Sequence, residues 1–532
     1  MSLICCPIAV EDPAEIPLAL DRAARARVLG ARMIEWRCDG LASHDNALAA
    51  IARLVRECPL ASLVTIRSNE EGGTCALAEH QRLALLGRIM RSADAPRLVD
   101  IEHASLSSDL ARTLFLSTMT PREGAVENDD APMTRIVGST HDFLSRPVDL
   151  MRRVAAMQED PLISVVKVVW MARSVRDNLE AFDILAARAK PTIALLMGEY
   201  GLMSRVLAPK FGGFLTFASD AEGTGTAPGQ PTARQLRDLY RFNDVAPATR
   251  VFGVIGWPIA HSRSPAFHNA RFAQAQYDGV FLPILVPPEW EHFKATLGAL
   301  IDHDRLDFAG ASVTIPHKEH LIRFVQERGG TIDDGALWIG AANTLVVTAG
   351  GKLRASNTDM PAAVEVLTAA LATRGHAPAA TRIAVIGAGG VARAVAGGLA
   401  AQGAIVVVFN RNHERAEQLA ASLSGREVQR ADGCVVTTRV VAGRSESLGC
   451  GCFHAFVNCT PIGMQGGPDP TGSPLPDDVH LDDSVVVMDT VYTPRETPLV
   501  REARARGAIV VDGEAMFERQ AQLQSELFLT RW

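Results

Sequence analysis

No apolar stretch of the chain approaches the ~20 residues that cross a bilayer, and MSLICCPIAVEDPAEIP brings acids and prolines before any basic or sustained apolar segment. Neither a membrane anchor nor a secretory leader is expected. Cysteine is sparse: nine residues, an odd number scattered from Cys5 to Cys459, outline no disulfide framework. Cys450-Gly-Cys452 lacks the spacing and partners of a zinc site, so no metal is expected. These absences point to a reducing, cytoplasmic setting. Positive charge is not in excess either; the net charge of −7 gives no electrostatic reason to expect nucleic acid as a partner. Long-period repeats and low-complexity tracts are absent, which excludes solenoids and propellers.

What is present is an ordinary globular composition, 47% hydrophobic and 21% charged, spread over 532 residues. One core cannot serve that length, and about two to four domains are expected. Up to about residue 242, strand-like runs alternate with helical stretches: LICCPIAV, RMIEWR, SLVTIR, RLVDIE, RIVGST, ISVVKVV, TIALLM and FLTFAS. Eight βα units of this size predict a (β/α)8 TIM barrel, whose chemistry sits at the C-terminal ends of the strands. The segment 113–134 is its least regular connection. A last helix is predicted over 232–242, and the polar link NDVAPAT puts a boundary near residue 246. Further βα units run to about 355, followed by a helix over about 360–374 and a second α/β block opening with TRIAVIGAGGVARAVAGGLAAQG.

ISVVKVVWMA places Lys167 inside a run that otherwise reads as a buried strand. Two readings are open. The ammonium snorkels to solvent or pairs with a carboxylate, or burial makes it a neutral amine able to form a Schiff base. Other polar residues gather at the same strand ends: Glu35 and Arg37, Arg67, Glu102, His141 and Arg205. Singly each has a plain structural reading; Arg37 suits an ion pair with Asp39, and Glu102 a helix cap. Together they make an anion-binding, Schiff-base-forming pocket with a histidine to move protons.

The stretches EWRCD, TIRSNEEGG, DIE, GSTHDF, VVKVV, LLMGEYGLMSRVLAPKFGG and GTAPGQ resemble type I 3-dehydroquinate dehydratase over nearly the whole barrel. The resemblance implies that Lys167 forms the imine, His141 is the general acid and base, and Glu102 orients it. It further implies that Glu35, Arg37, Arg67, Arg205, Thr226 and Gln230 hold the substrate. Thr226 stands where the family more often has Ser, and the 113–134 segment fits the family pattern poorly.

In the second half, VIGAGGVARA follows a predicted strand and opens a helix, giving Gly387-x-Gly389-Gly390-x-Ala392, a phosphate-binding turn. After the next strand, Asn410 and Arg411 replace the acid that would bind an unphosphorylated ribose, so with Arg415 they favour NADPH; solvated helix-start arginines are the alternative. GWPIAHSRSPAFHN, GASVTIPHKEH, IGAANTLV, ASNTDM, NCTPIGM, DTVYTP and GEAMFERQAQLQ, in this order, resemble shikimate dehydrogenase. That resemblance implies a Lys318 and Asp359 catalytic pair, with Ser262, Ser264, Thr314, Asn343, Tyr492 and Gln520 holding substrate. Ser264-Pro265 and Asp359 also suit helix N-termini. Ser312, in place of a common Asn, and Met360, in place of a glycine, depart from the pattern.

The combined expectation is an α/β chain of a 1–246 barrel, a 247–358 substrate domain onto which 514–532 packs back, and a 359–513 Rossmann NADP-binding domain. It would convert 3-dehydroquinate to 3-dehydroshikimate and then to shikimate, with small molecules as partners and no preference for an oligomeric state. A Schiff-base aldolase-type barrel fused to a quinate dehydrogenase, or a metabolite-sensing regulator without turnover, are the alternatives.

Overall fold

The structure, a computed structural model, describes residues 2–119, 134–259, 262–430, 432–449 and 453–530. Most of the irregular 113–134 connection, and Cys450-Gly-Cys452, lie outside the described residues. The chain divides into two compact units, the first built on Met1–Val251 with Asp278–Leu285 and Gly298–Asp307, the second on Phe252–Tyr277, Val286–Leu297 and Phe308–Trp532.

In the first unit the eight expected strands form: β1 (Leu3–Ala9), β2 (Met33–Arg37), β3 (Ala61–Thr65), β4 (Leu98–Glu102), β5 (Arg135–Asp142), β6 (Ile163–Met171), β7 (Thr192–Met197) and β8 (Leu215–Phe217). They pair in parallel in the order β7-β6-β5-β4-β3-β2-β1-β8. Phe214 N–H donates to Thr192 O at 2.8 Å, linking the two ends of the sheet.

The two-residue period of the strands then sets the interior in layers. Met33, Leu63, Leu98, Val137 and Val165 form an apolar floor with Cys5 and Leu215. Two residues further along those five strands come Glu35, Thr65, Asp100, Ser139 and Lys167, all buried. Thus the alternation that builds the core also stacks a charged layer on it.

The predicted helix over 232–242 forms over residues 233–239, most of it as a π-helix at Gln235–Leu239, and stops short of 242, where a 3-10 turn follows at Phe242–Asp244. Between them Arg241 adopts φ 52°, a left-handed conformation that a continuing helix excludes.

Following the barrel, β9 (Arg250–Gly256), β10 (Gly279–Leu285), β11 (Phe308–Val313), β12 (Thr331–Ile332), β13 (Thr344–Val347) and β14 (Leu353–Ser356) form a sheet ordered β10-β9-β11-β13-β14-β12. Next come β15 (Arg382–Ile386), β16 (Ile405–Phe409), a small antiparallel hairpin of β17 (Glu427–Gln429) and β18 (Val435–Thr437), then β19 (Arg439–Ala442), β20 (Ala455–Asn458), β21 (Val486–Asp489) and β22 (Ile509–Val511). The order β19-β16-β15-β20-β21-β22, parallel throughout, is the doubly wound topology, with its crevice where the order reverses at β15 and β20. Ile383 and Val385 face one core and Ala384 and Ile386 another, which is why β15 reads as a continuous apolar run. The helix Asp359–Ala372 follows β14, and Gly513–Leu529 packs against it and against β11 and β13.

Candidate active sites

Lys167 is 4% exposed, and its Nζ lies 2.9 Å from Asp100 Oδ2, 3.5 Å from Glu35 Oε1 and 4.6 Å from the centre of the Phe217 ring. It does not snorkel. Asp100 also accepts from Arg67 Nη2 at 2.8 Å and from Ser139 Oγ at 2.6 Å. Burial pushes its carboxyl up, but Arg67 and Lys167 outweigh that and hold it well below the usual carboxylate range. The ammonium therefore sits beside a permanent carboxylate.

His141, near the end of β5, lines the same cavity, together with Arg37, Arg67, Glu71, Arg205, Thr226 and Gln230. Burial, then Arg67 and Lys167, push its imidazole well below the ordinary value, so it is neutral at physiological pH. Glu71 Oε2 accepts from His141 N at 3.1 Å and lies 2.9 Å from its Nδ1. An Nδ1–H pointing at that carboxylate leaves Nε2 as the basic nitrogen. Glu71 is pushed up to about 7, chiefly by burial, against the pull of Arg67.

Glu102 is the acid expected beside the histidine, but the carboxylate that the structure places on His141 is that of Glu71. Glu102 accepts from Arg82 and from Ser68 N at 2.8 Å and lies 3.4 Å from Arg67, so its oxygens are engaged away from the histidine. Nor does its side chain cap the helix that follows.

Arg37 pairs with Asp39 at 2.6 Å, as its plain reading proposed, while its buried Nε has no partner among the described residues. Arg205 differs in kind. It is 2% exposed, and among the described residues its Nη1 reaches only Phe217 O at 3.5 Å, its Nε is without a partner and no carboxylate pairs with it. Burial alone pulls it down to about 10. Gln230 Oε1 accepts from Thr226 N at 3.0 Å, leaving its buried Nε2 without a partner among the described residues. The cavity therefore offers unused donors beside an amine and a neutral base, which suits a carboxylate-bearing hydroxy ketone.

In the second unit, Lys318 opens the helix Lys318–Glu327 and Asp359 opens the helix Asp359–Ala372, and Lys318 Nζ lies 2.6 Å from Asp359 Oδ2. Both are buried, at 8% and 5% exposure. Thr358 is the N-cap of its helix and Asp359 the first helical residue, with its carboxylate accepting from the lysine. Asn343 Oδ1 accepts from Thr358 N at 2.8 Å and Thr344 Oγ at 2.9 Å, and its Nδ2 donates to Thr358 Oγ at 2.9 Å. Gln520 Oε1 lies 3.5 Å from the same Thr358 hydroxyl.

Ser264 is the first helical residue rather than the cap, and its N–H donates to Ser262 Oγ at 3.3 Å. Thr314 is half-buried in the turn before Lys318. Tyr492 leans on Phe517, ring centres 5.2 Å apart, and burial raises its phenol.

The glycine turn adjoins the lysine pair: a Cβ on Gly390 would lie 3.1 Å from Lys318 Cδ. Gly387 has φ +116°, and a Cβ there would come within 2.9 Å of Cys459 O. A Cβ on Gly389 would meet nothing within 4 Å, which leaves open space at the N-terminus of the helix Gly390–Ala401; Ala392 is buried in that helix. Asn410 donates to Asn412 O at 2.8 Å, while the exposed Arg411 and Arg415 have no carboxylate partner among the described residues. These residues fit a pyrophosphate and a further phosphate. No group of three or more potential metal ligands occurs among the described residues, nor any helix long and apolar enough to cross a membrane.

Asp100 and Glu71 were missed from sequence. Asp100 precedes Glu102 by two residues and so shares its face of β4, a signal that was available; Glu71 lies in the 3-10 turn Asn69–Glu71, where no period says which way a side chain points.

Comparison with known proteins assigns residues 4–247 to the type I 3-dehydroquinase family, 254–345 to the shikimate dehydrogenase substrate binding domain and 370–435 to the shikimate / quinate 5-dehydrogenase family. The chain is 34% identical to the chloroplastic bifunctional 3-dehydroquinate dehydratase/shikimate dehydrogenase of Arabidopsis thaliana, over 99% of this chain and 82% of that protein. It is 42% identical to the shikimate dehydrogenase (NADP(+)) of Paramagnetospirillum magneticum, over 51% of this chain and 90% of that one. The solved dehydroquinate dehydratase and shikimate dehydrogenase from S. pombe AroM matches at 24% identity and a TM-score of 0.40, over 99% of this chain and 95% of that one. With a full-length relative matching both halves in one polypeptide, the chain belongs to the family of bifunctional 3-dehydroquinate dehydratase/shikimate dehydrogenases.

Proposed function

We propose that the first site dehydrates 3-dehydroquinate through an imine on Lys167 and that the second reduces the resulting 3-dehydroshikimate to shikimate with NADPH. The observation that carries this reading is the pairing of a buried lysine and a neutral histidine with an acid-free Arg205 in one cavity.

Arg205, with Arg37, Thr226 and Gln230, receives the substrate carboxylate and hydroxyls. Lys167 gives up a proton and attacks the ketone, and loss of water leaves a protonated imine whose N–H faces Asp100. That imine draws electrons from the neighbouring carbon, where His141 removes a proton through Nε2. The imidazolium, steadied by Glu71, then protonates the departing hydroxyl. Hydrolysis of the imine releases product and restores Lys167.

In the second site Ser262, Ser264, Thr314, Asn343, Tyr492 and Gln520 hold the substrate, and the Lys318 ammonium, fixed by Asp359, hydrogen-bonds the ketone oxygen and protonates it as negative charge develops. Gly387, Gly389, Gly390 and Ala392 seat the coenzyme pyrophosphate, and Asn410, Arg411 and Arg415 its ribose 2′-phosphate. When bound, NADPH supplies the hydride.

An aldolase-type barrel fused to a quinate dehydrogenase is not favoured, because the full-length relative carries the dehydratase and shikimate dehydrogenase names. A regulator without turnover is not favoured either, given two lysine-centred sites with their proton-handling partners in place. The cytoplasmic setting is part of the same reading, supported by seven described cysteines that are all free.

The test is to supply 3-dehydroquinate and NADPH together and follow coenzyme absorbance. Oxidation that depends on both, with shikimate as product, is expected; coenzyme left unoxidised while 3-dehydroshikimate accumulates would remove the second activity, and untouched 3-dehydroquinate the first.

A further inference from the structure

Gln524 touches none of the groups assigned above to the reacting atoms, yet it is 2% exposed and every side-chain polar atom it has is engaged. Its Oε1 accepts from Ser312 Oγ at 2.7 Å. Its Nε2 donates to Asn343 O and to Thr344 Oγ, both at 3.0 Å. Since a hydroxyl donates one proton, the Thr344 hydroxyl that accepts from Gln524 has its own proton free for Asn343 Oδ1, 2.9 Å away. The direction of each bond follows from the last: Ser312 to Gln524, Gln524 to Thr344, Thr344 to Asn343.

The consequence lies in the Asn343 amide. An amide can be turned end for end with little change of shape, and only its partners decide which end is which. Here Oδ1 faces Thr344 Oγ–H and Thr358 N–H, with the Thr358 hydroxyl a longer third contact at 3.2 Å, so Nδ2 must occupy the other side. One of its protons goes to Thr358 Oγ at 2.9 Å and the second is left to be offered. Gln524 is also one helical turn beyond Gln520, on the helix Gly513–Leu529, so the same bonds that fix Asn343 anchor the face from which Gln520 reaches the site.

We propose that Gln524 is a positioning residue for the dehydrogenase: through Thr344 it fixes the orientation of the Asn343 amide, so that Asn343 presents an N–H donor to a substrate oxygen. Ser312 completes the device by holding Gln524 from the β11 side. This rests on the reading of Asn343 as a substrate-holding residue.

A mutant cycle in the full chain tests it. Gln524→Met keeps the volume and removes both the donor and the acceptor; it is expected to raise KM for 3-dehydroshikimate about tenfold while KM for NADPH stays within about twofold. The decisive arm is Asn343→Ala. If Gln524 acts through Asn343, the double variant is no worse than Asn343→Ala alone, because the group to be oriented is gone. A residue that merely fills space would instead add its full cost in both backgrounds, and that result overturns the proposal, as does an unchanged KM for 3-dehydroshikimate in Gln524→Met. Should Gln524→Met not fold, seen as lost NADPH affinity, Ser312→Ala takes its place in the cycle, with a smaller rise in KM that must likewise vanish with Asn343→Ala. A wild-type chain that does not reduce 3-dehydroshikimate at all would count against the functional reading, before any variant is made.

Discussion

Arg205→Met should make the dehydratase more stable and much less able to bind its substrate. In the free protein the guanidinium is buried, with one long contact to Phe217 O and, among the described residues, no acid to answer its charge. Burial lowers its proton affinity from the ordinary arginine value to about 10. At ~1.4 kcal/mol per tenfold change in proton affinity, that is a cost of roughly 3 kcal/mol. The sign follows from the direction: a base whose folded value is depressed is penalised in its charged form, so the full cost is present below about 10 and hence at neutral pH.

Met replaces the stem without the charge, and removing a poorly compensated buried ion in this way stabilises by about 1–3 kcal/mol. For a unit of this size that is roughly 2–4 °C per kcal/mol in the transition that dehydratase ligands shift. Binding moves the other way. A two-point guanidinium–carboxylate contact in a desolvated pocket is worth about 3–5 kcal/mol, so KM for 3-dehydroquinate should rise by roughly two to four orders of magnitude. Scanning calorimetry with and without product, alongside dehydratase kinetics, checks both halves. A variant that melts lower yet keeps its KM would refute the reasoning, because Arg205 would then be a structural cation.

Three other outcomes are expected. Borohydride added with 3-dehydroquinate should leave ligand mass on the peptide containing Lys167, and His141→Ala should keep the trapping while turnover falls by about two to four orders of magnitude; label on another lysine would remove the assignment. Glu71 is raised in the folded chain to about 7, so its ionisation opposes folding: stability should fall as pH rises from about 4.5 to about 7 and then level off, a slope that Glu71→Gln should abolish and Glu102→Gln should not. Arg411→Ala should weaken NADPH about ten- to hundredfold and spare NADH, as measured by the two Michaelis constants; equal loss for both would mean that Arg411 supports the loop instead.

The parts of this molecule that were legible in sequence are those governed by a period. Eight apolar runs gave eight strands, and the position of Lys167 within ISVVKVVWMA put it among carboxylates two residues above an apolar floor at Val165. The same rule applied to LVDIE would have found Asp100 beside Glu102. Glu71 escaped because a 3-10 turn carries it to His141, and among the acids of the motifs no spacing says which one meets the ring. The last helix of the barrel half ends short of residue 242 for a backbone reason, the left-handed Arg241, which its side chain does not announce. In the second half the motifs were read as local punctuation and as a site at once; only the fold shows that Lys318 and Asp359, each at the first turn of its own helix, meet at 2.6 Å.

Gly389 and Gly390 are the same letter in the sequence, but they would drift differently over generations. Space is open around a side chain at 389, so what forbids one there is whatever comes to lie against the turn, and a chain that abandoned its coenzyme would be released from the constraint. At 390 the obstacle belongs to the protein: a methyl group would press on the stem of Lys318 at 3.1 Å whether or not anything is bound. A lineage that lost dinucleotide binding but kept proton donation from that lysine should therefore lose the first glycine of the pair before the second, a fossil order that descendants of this chain would carry in their sequences.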